Sequence, residues 1–138
     1  MARVNRINLD GKGETENRLI AVAALPGTLV SINSADKFQV ATSGAGVQLY
    51  ALGVDTLQGK RVTDTVDADD VGIGNYFETG RSFALLVAAG TALTSDTPLT
   101  IGAGALVVGT PGDDEIVAYS KEIHTVGSEA ELVIVRAA

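Results

Sequence analysis

The apolar residues of this chain are grouped in short runs, and turn-forming residues separate most of these runs. No segment longer than about ten residues shows the 3.6-residue period of an amphipathic helix. Short apolar runs bounded by Gly, Pro, Ser and Asp are typical of β-strands, and many of them in succession predict an all-β sandwich or barrel. The predicted strands are RLIAV, TLVSI, KFQVAT, VQLYAL, RVTDTV, SFALLVAA, PLTI, ALVVG, EIVAYS and ELVIVR, at 18–22, 28–32, 37–42, 47–52, 61–66, 82–89, 98–101, 105–109, 115–120 and 131–136.

The stretch from Ala84 to Val108 is long and apolar and carries a single charge, Asp96. A transmembrane helix needs about 18 consecutive apolar residues, whereas Gly, Thr, Ser and Pro interrupt this stretch every few positions. It is therefore predicted to form hairpins in a core of small side chains. The last strand, 131–136, is apolar on both faces, which is typical of a strand that is covered twice or that lies at a subunit seam.

The two halves of the chain share a weak internal similarity at an offset of about 68 or 69 residues, of the kind that a duplication leaves. The matches predict two similar β-units packed into one pseudo-symmetric body. They pair Ala24-Leu25 with Ala92-Leu93, Ser31-Ile32 with Thr100-Ile101, Val40-Ala41-Thr42 with Val108-Gly109-Thr110, and Leu49-Tyr50 with Ala118-Tyr119.

Residues 1–18 are polar and are predicted to form a flexible or extended N-terminal arm, followed by a single all-β domain at 19–138. The branched aliphatic residues of the arm are Val4, Ile7 and Leu9, and Arg3 and Arg6 make it locally basic. Such a terminus is disordered unless a partner orders it, and its spaced aliphatic residues also suit an extended segment lying on another surface.

The composition limits the size and the partners of this domain. Of the 138 residues 46% are hydrophobic, but only 4% are aromatic and Trp is absent, so the core must be thin. A thin core leaves little surplus stability, which favours completion by neighbouring copies. The net charge of −7 argues against nucleic acid and anionic membranes as partners. Cys is absent, which excludes disulfides and thiolate chemistry.

Few residues suggest chemistry, and we expect neither an enzyme nor a cofactor or metal protein. His124, the only His, is near Ser120, but no G-x-S-x-G elbow is present to expose a nucleophile. The acidic segment 64–70 has Val71 where calcium loops continue with ligands, so it is interpreted as a solvated turn. The glycine-containing segments 59–61 and 102–109 fit neither a phosphate loop nor a dinucleotide-binding turn.

The segment 72–83 contains an aromatic and cationic cluster made of Tyr76, Phe77, Arg81 and Phe83. Aromatic residues and Arg are enriched at the centres of protein interfaces, so this cluster is a possible contact surface. The alternative is that its rings are the largest pieces of the core.

The acidic, Cys-free composition, the polar arm and the segments VAAGTALTSDTPLTI, ALVVGT and GDDEIVAYSKE resemble the head decoration, or capsid cement, proteins of tailed bacteriophages. The resemblance covers most of residues 19–138. It implies an all-β virion protein, often a homotrimer, that is made in the host cytoplasm, binds the outer capsid surface and cements adjacent major capsid protein subunits without catalysis. The implied capsid-binding residues of the arm are Arg3, Val4, Arg6, Ile7 and Leu9.

Two other classes of function remain open at this point. A receptor- or glycan-binding β-module of a phage tail or fibre would need an exposed aromatic platform, for which Tyr76, Phe77 and Phe83 are the clustered candidates. A small β-barrel hydrolase or lyase would need a pocket at His124 with partners that no motif supplies.

Overall fold

The computed structural model describes residues 4–10, 13–44, 46–102 and 104–138. The described residues form twelve strands and a single-turn 3-10 helix at Thr56–Gln58. The strands are β1 (Thr15–Leu19), β2 (Leu29–Ile32), β3 (Phe38–Val40), β4 (Tyr50–Leu52), β5 (Val71–Tyr76), β6 (Ser82–Val87), β7 (Ala92–Leu93), β8 (Pro98–Ile101), β9 (Leu106–Val108), β10 (Ala118–Ser120), β11 (His124–Thr125) and β12 (Glu131–Ala137).

These strands form two consecutive β-units. The N-terminal unit is a five-stranded sheet in the order β1-β5-β4-β2-β3. The C-terminal unit is a closed barrel in the order β10-β12-β6-β9-β8, with β7 and β11 paired beside it. The all-β, barrel-containing architecture predicted from the hydrophobic pattern is confirmed.

The two units have the same strand order, which confirms the prediction of two similar β-units. Reading the C-terminal barrel from β6 gives β6-β12-β10-β8-β9, so its strands correspond to β1, β5, β4, β2 and β3 in turn. The barrel closes through a parallel pairing of Val87 with Leu106. A parallel bridge between Ile20 and Phe38 occupies the same place in the N-terminal unit, so this sheet closes in the same sense.

Individual hydrogen bonds repeat as well. Ala21 N–H donates to Phe38 O at 2.8 Å, and Ala88 N–H donates to Leu106 O at 2.9 Å. The two donors are 67 residues apart in sequence, and the two acceptors are 68 residues apart. The bond from Gly27 N–H to the carbonyl of β4 has its counterpart in the bond from Asp96 N–H to the carbonyl of β10. Gly27 and Asp96 both have positive φ, which Gly and Asp tolerate better than most residues.

The interior is divided into two hydrophobic clusters. A small one fills the N-terminal unit and contains Phe38 and Leu52, both 0% exposed. A larger one fills the barrel and extends to Leu29 and Ala51 of the N-terminal unit, so the two units share part of their core. In β12, which lies between β10 and β6, Leu132, Val133 and Val135 are buried, as a centrally placed strand requires.

The strand assignments differ from the sequence-based expectation at β1, at 61–66 and at β5, and the short strands β7 and β11 were not predicted either. Strand β1 lies at Thr15–Leu19, inside the segment predicted to be an arm, because its polar residues pair with β5 at the sheet surface. The segment 61–66 is irregular apart from a bridge between Val66 and Ala24. Strand β5 was not predicted because Gly72 and Gly74 weaken its pattern. A Cβ at Gly74 would lie 2.6 Å from Phe38 Cζ, so glycine leaves room for this large core ring.

Candidate functional site

Residues 4–10 of the arm lie along the barrel as an additional extended segment. Asn8 forms an antiparallel bridge with Phe83 of β6. Leu9 N–H donates to Ser82 O at 3.2 Å, and Ala84 N–H donates to Ile7 O at 2.9 Å. This edge of β6 is open to the arm because β9 pairs with β6 only at Val87, the far end of the strand.

The aliphatic residues of the arm belong to the core of the chain itself. Ile7 is 2% exposed, and Val4 and Leu9 pack against the larger hydrophobic cluster. Burial of such a side chain stabilises the fold by about 1.5–3 kcal/mol, and the capsid contact predicted for Ile7 stays a prediction. Arg6 is exposed and faces solvent. Arg3 lies outside the described residues.

Arg81 fastens the arm to the body. Its guanidinium donates to Asn8 Oδ1 at 2.9 Å and forms an ion pair with Asp10 at 3.2 Å. It also pairs with Glu78 at 3.1 Å and lies 5.1 Å above the centre of the Phe83 ring. The side chain of Arg81 is only 14% exposed, whereas its partners Asp10 and Glu78 are 37% and 56% exposed. The structure thus joins the two predicted sites, the arm and the aromatic segment.

The aromatic segment is mostly internal. Phe83 is 0% exposed and packs against Phe77, with ring centres 5.1 Å apart. Tyr76 and Phe77 are half-buried. Phe83 is a core residue, as the alternative interpretation expected, and contributes nothing to an exposed platform. The contact surface proposed for the rest of the cluster stays a prediction.

Tyr76 links the aromatic segment to β1. Its hydroxyl donates to Glu16 Oε1 at 2.7 Å. This bond, followed in size by the bond from Arg18, lowers the pKa of Glu16. The same bond to Glu16 raises the pKa of Tyr76 well above its ordinary value, with burial as a second cause. The pair therefore holds one proton on Tyr76 and a negative charge on Glu16 across the neutral range.

Beneath the arm lies an open cavity of about 750 Å³, which is lined by the arm and by residues 53–75 of the N-terminal unit. Three cations line it, Arg6 from the arm and Lys60 and Arg61 from the loop after the 3-10 helix. Asp67 accepts a hydrogen bond from Lys60 and raises the pKa of its amine, so this amine stays charged. Lys60 is paired with Asp67 at 2.9 Å, whereas the side chains of Arg6 and Arg61 are exposed, and we name the site lined by these three cations the cationic cleft. The sequence contained one signal for this cleft, the Lys-Arg pair at 60–61. We considered that pair only as part of a phosphate loop, which its sequence does not fit.

The residues considered for catalysis do not come together. The hydroxyl of Ser120 donates to the carbonyl of Glu122 at 2.9 Å, and the ring of His124 lies 3.3 Å from Glu131. In the acidic segment, Asp64 accepts from the backbone N–H of Arg61, while other carboxylates pair with separate lysines. Within the described residues, no group of three or more His, Asp or Glu side chains is arranged to hold a metal ion. In the same part of the chain, no helix has the length and apolar character needed to cross a bilayer.

Comparison with known proteins identifies a relative in fold. The structure is similar to that of the N base of the head fiber gp8.5 in bacteriophage phi29, with a TM-score of 0.60. The similarity covers 91% of this chain and 93% of that chain at 15% sequence identity. No protein-family model and no curated protein sequence matches the chain. At this identity the likeness establishes a shared fold over nearly the whole length of both chains.

Proposed function

We propose that this chain is a structural protein of a bacteriophage head. It acts as a homotrimer that binds the outer surface of the capsid and cements adjacent major capsid protein subunits. The observation that carries the proposal is the similarity in fold, over 91% of the chain, to a protein described as the base of a phage head fiber. In this proposal the chain has no catalytic role, and neither nucleic acid nor membrane is a partner.

Such a protein strengthens a shell by mass action. Each copy that binds the assembled capsid, and not its dissociated subunits, stabilises the assembled form by its binding free energy. A homotrimer that contacts several capsid subunits at once gains further affinity, because the second and third contacts form at high effective concentration.

The cationic cleft is the surface we assign to the capsid contact. Arg6 and Arg61 are exposed at its rim, and the arm that carries Arg6 is held in place by Arg81. A capsid surface bearing carboxylates would complement these cations, which orient the encounter and set its specificity more than they add affinity. The proposed contact therefore includes Arg6 from the predicted arm residues and adds Lys60 and Arg61.

The test uses the purified chain and heads isolated from phage lacking its gene. We expect the protein to co-sediment with these heads and to raise the temperature at which they release DNA. The double variant Arg6→Glu, Arg61→Glu should bind about tenfold more weakly, with a dependence on salt that is reduced relative to the wild type. Charge reversal is preferable to deletion of the arm, because deletion would also remove Ile7 from the core.

The matched control reverses one cation elsewhere, Lys121 on the C-terminal unit, and is compared with the single variant Arg61→Glu. Arg136 is left unchanged because it pairs with Asp96. This control should bind heads as the wild type does. Heads that neither retain the wild-type protein nor gain thermal resistance from it would refute the proposed function. Equal losses in Lys121→Glu and Arg61→Glu would refute the assignment to the cationic cleft.

A further inference from the structure

The contact between the two β-units of one chain is asymmetric. The N-terminal unit contributes the turn 25–27, in which Pro26 and Gly27 are buried. The C-terminal unit contributes the edge of β6, where Leu86 N–H donates to Gly27 O at 3.0 Å. Leu132 of β12 packs directly over Gly27.

The duplication shows what a symmetric contact would contain. Leu19 of β1 corresponds to Leu86 of β6, and Asp96 corresponds to Gly27. If a local twofold axis related the units, Leu19 would meet Asp96 as Leu86 meets Gly27. Instead Leu19 is 41% exposed where Leu86 is 9% exposed, and Asp96 is at the surface. The contact is therefore heterologous, and each unit leaves one of its two complementary surfaces uncovered.

The uncovered surface of the N-terminal unit includes the outer edge of β1. The carbonyl of Glu14 accepts from Tyr76 of β5, and Ile20 N–H donates to Asp70 just before β5. Alternation along an antiparallel pair therefore directs the backbone groups of Thr15, Asn17 and Leu19 away from β5, and the carbonyl of Asn17 accepts from the guanidinium of Arg18 there. In β6 the corresponding backbone groups of Ser82 and Ala84 bond to the arm, and the N–H of Leu86 bonds to Gly27. Among the residues that the structure describes, no strand pairs with this edge of β1.

Exposed apolar side chains accompany this edge. Leu19 faces Val71 across the β1 and β5 pair, and Val71 is 42% exposed. Val22, at 67% exposure, follows closely in the chain. A groove of about 430 Å³ runs beside Leu19 and Val71. Strand edges and apolar residues that remain uncovered together are typical of a surface that another chain covers.

We propose that a second copy of this chain covers the surface. Its C-terminal unit places the turn 94–97 against Leu19 and Val71, as the turn 25–27 lies against Leu86 within one chain. The second copy is the occupant because each chain carries the equivalent turn exposed, in a unit of the same fold. Since this turn is polar, Thr-Ser-Asp-Thr, its backbone would make the contact, as the carbonyl of Gly27 does within one chain. A heterologous contact repeated from copy to copy closes into a ring when its rotation permits. The contact involves none of the capsid-binding residues proposed above, and three copies would give the proposed homotrimer.

Cysteine cross-linking tests this contact, since the natural chain has no Cys. Two single variants, Leu19→Cys and Asp96→Cys, are purified separately, mixed and oxidised. We expect a disulfide-linked dimer in the mixture and little in either variant alone, because the proposed contact joins unlike surfaces. A dimer formed equally well by Leu19→Cys alone would overturn the proposal, as would a mixture that stays unlinked. Leu57→Cys, at an exposed apolar position elsewhere, replaces Leu19→Cys in the control and should not link to Asp96→Cys.

Light scattering of the purified full chain supplies a second measurement. The wild type should form a closed oligomer, and Leu19→Asp should reduce it to monomers with unchanged circular dichroism. Ile123→Asp, a change of the same kind at an 80% exposed residue, should leave the mass unchanged. A monomeric wild type at high concentration, or a Leu19→Asp variant of unchanged mass, would refute this interface. Because no capsid is present, either result leaves the proposed capsid binding to be judged separately.

Discussion

Arg81 and Asp10 form an ion pair of 3.2 Å that connects the start of β6 with the end of the described arm. Arg81 lies where the chain passes from the N-terminal unit to the barrel, and it is 71 residues from Asp10 in sequence. The arm is therefore held by a polar contact at one end and by the buried Ile7 further along it.

Replacement of Arg81 by Ala should loosen the arm without unfolding the barrel. Loss of the bonds to Asn8 and Asp10 should lower the free energy of local opening by about 1.5–3 kcal/mol. Hydrogen exchange at the amides of Leu9 and Ala84, which bond across this contact, should accelerate roughly ten- to a hundredfold. Arg136→Ala, which removes a guanidinium stacked on Tyr119, is the control and should leave both rates unchanged. Unchanged exchange in Arg81→Ala would contradict the fastening role.

The Tyr76 and Glu16 pair should make stability depend on pH. The folded pKa of Glu16 is below its ordinary value of 4.5, so its contribution is present above that value and is lost as the pH falls through the folded pKa. The pKa of Tyr76 is raised, so its contribution is present below the ordinary value of 10.0 and is lost only as the pH rises well above it.

Thermal unfolding of Tyr76→Phe checks this dependence. The variant should melt at a lower temperature than the wild type near pH 7, and the difference should vanish in acid once Glu16 is protonated. Tyr119→Phe changes the same atoms on a different strand, and its difference from the wild type should not vary over the same acidic range. A constant difference for Tyr76→Phe between pH 3 and pH 7 would show that the hydroxyl bond does not set the pKa of Glu16.

Gly27 should be intolerant of a side chain. Its φ of 90° is unfavourable for other residues, and a Cβ there would collide with Leu132. We expect Gly27→Ala to lower the free energy of unfolding by about 1–3 kcal/mol through overpacking, in addition to the backbone strain. Gly112→Ala has a similar φ of 95° and open space around the new Cβ, so it measures the strain alone. Urea titrations that gave equal losses for the two variants would exclude the collision.

Truncation of the two equivalent core residues should test how far the units depend on each other. Phe38→Ala should cost about 3–5 kcal/mol and Leu106→Ala about 2–5 kcal/mol, because both side chains are buried and leave cavities. Since Leu29 and Ala51 of the first unit belong to the larger core, each variant should still unfold in one transition. Calorimetry that resolved two transitions would show that the shared core does not couple the units.

The sequence by itself determined the fold class and the repeat. Apolar runs of strand length are a local property, and equivalent residues retain similar spacing after a duplication, so the offset of about 68 residues was visible before any strand was placed. The pattern failed at β1 and β5. Polar residues at a sheet surface carry little strand signal, and the glycines of β5 are explained only by the side chain of Phe38 packed against them.

Tertiary structure alone decided where the candidate surfaces lie. The aliphatic residues of the arm predict attachment to some apolar surface, but the sequence cannot indicate that this surface is the open edge of β6, more than 70 residues away. Phe83 and Leu19 likewise have similar hydrophobicity, yet one is fully buried and the other is exposed. Burial depends on which distant segments cover a residue, and the asymmetric packing of two equivalent units covers Leu86 while it leaves Leu19 open to solvent.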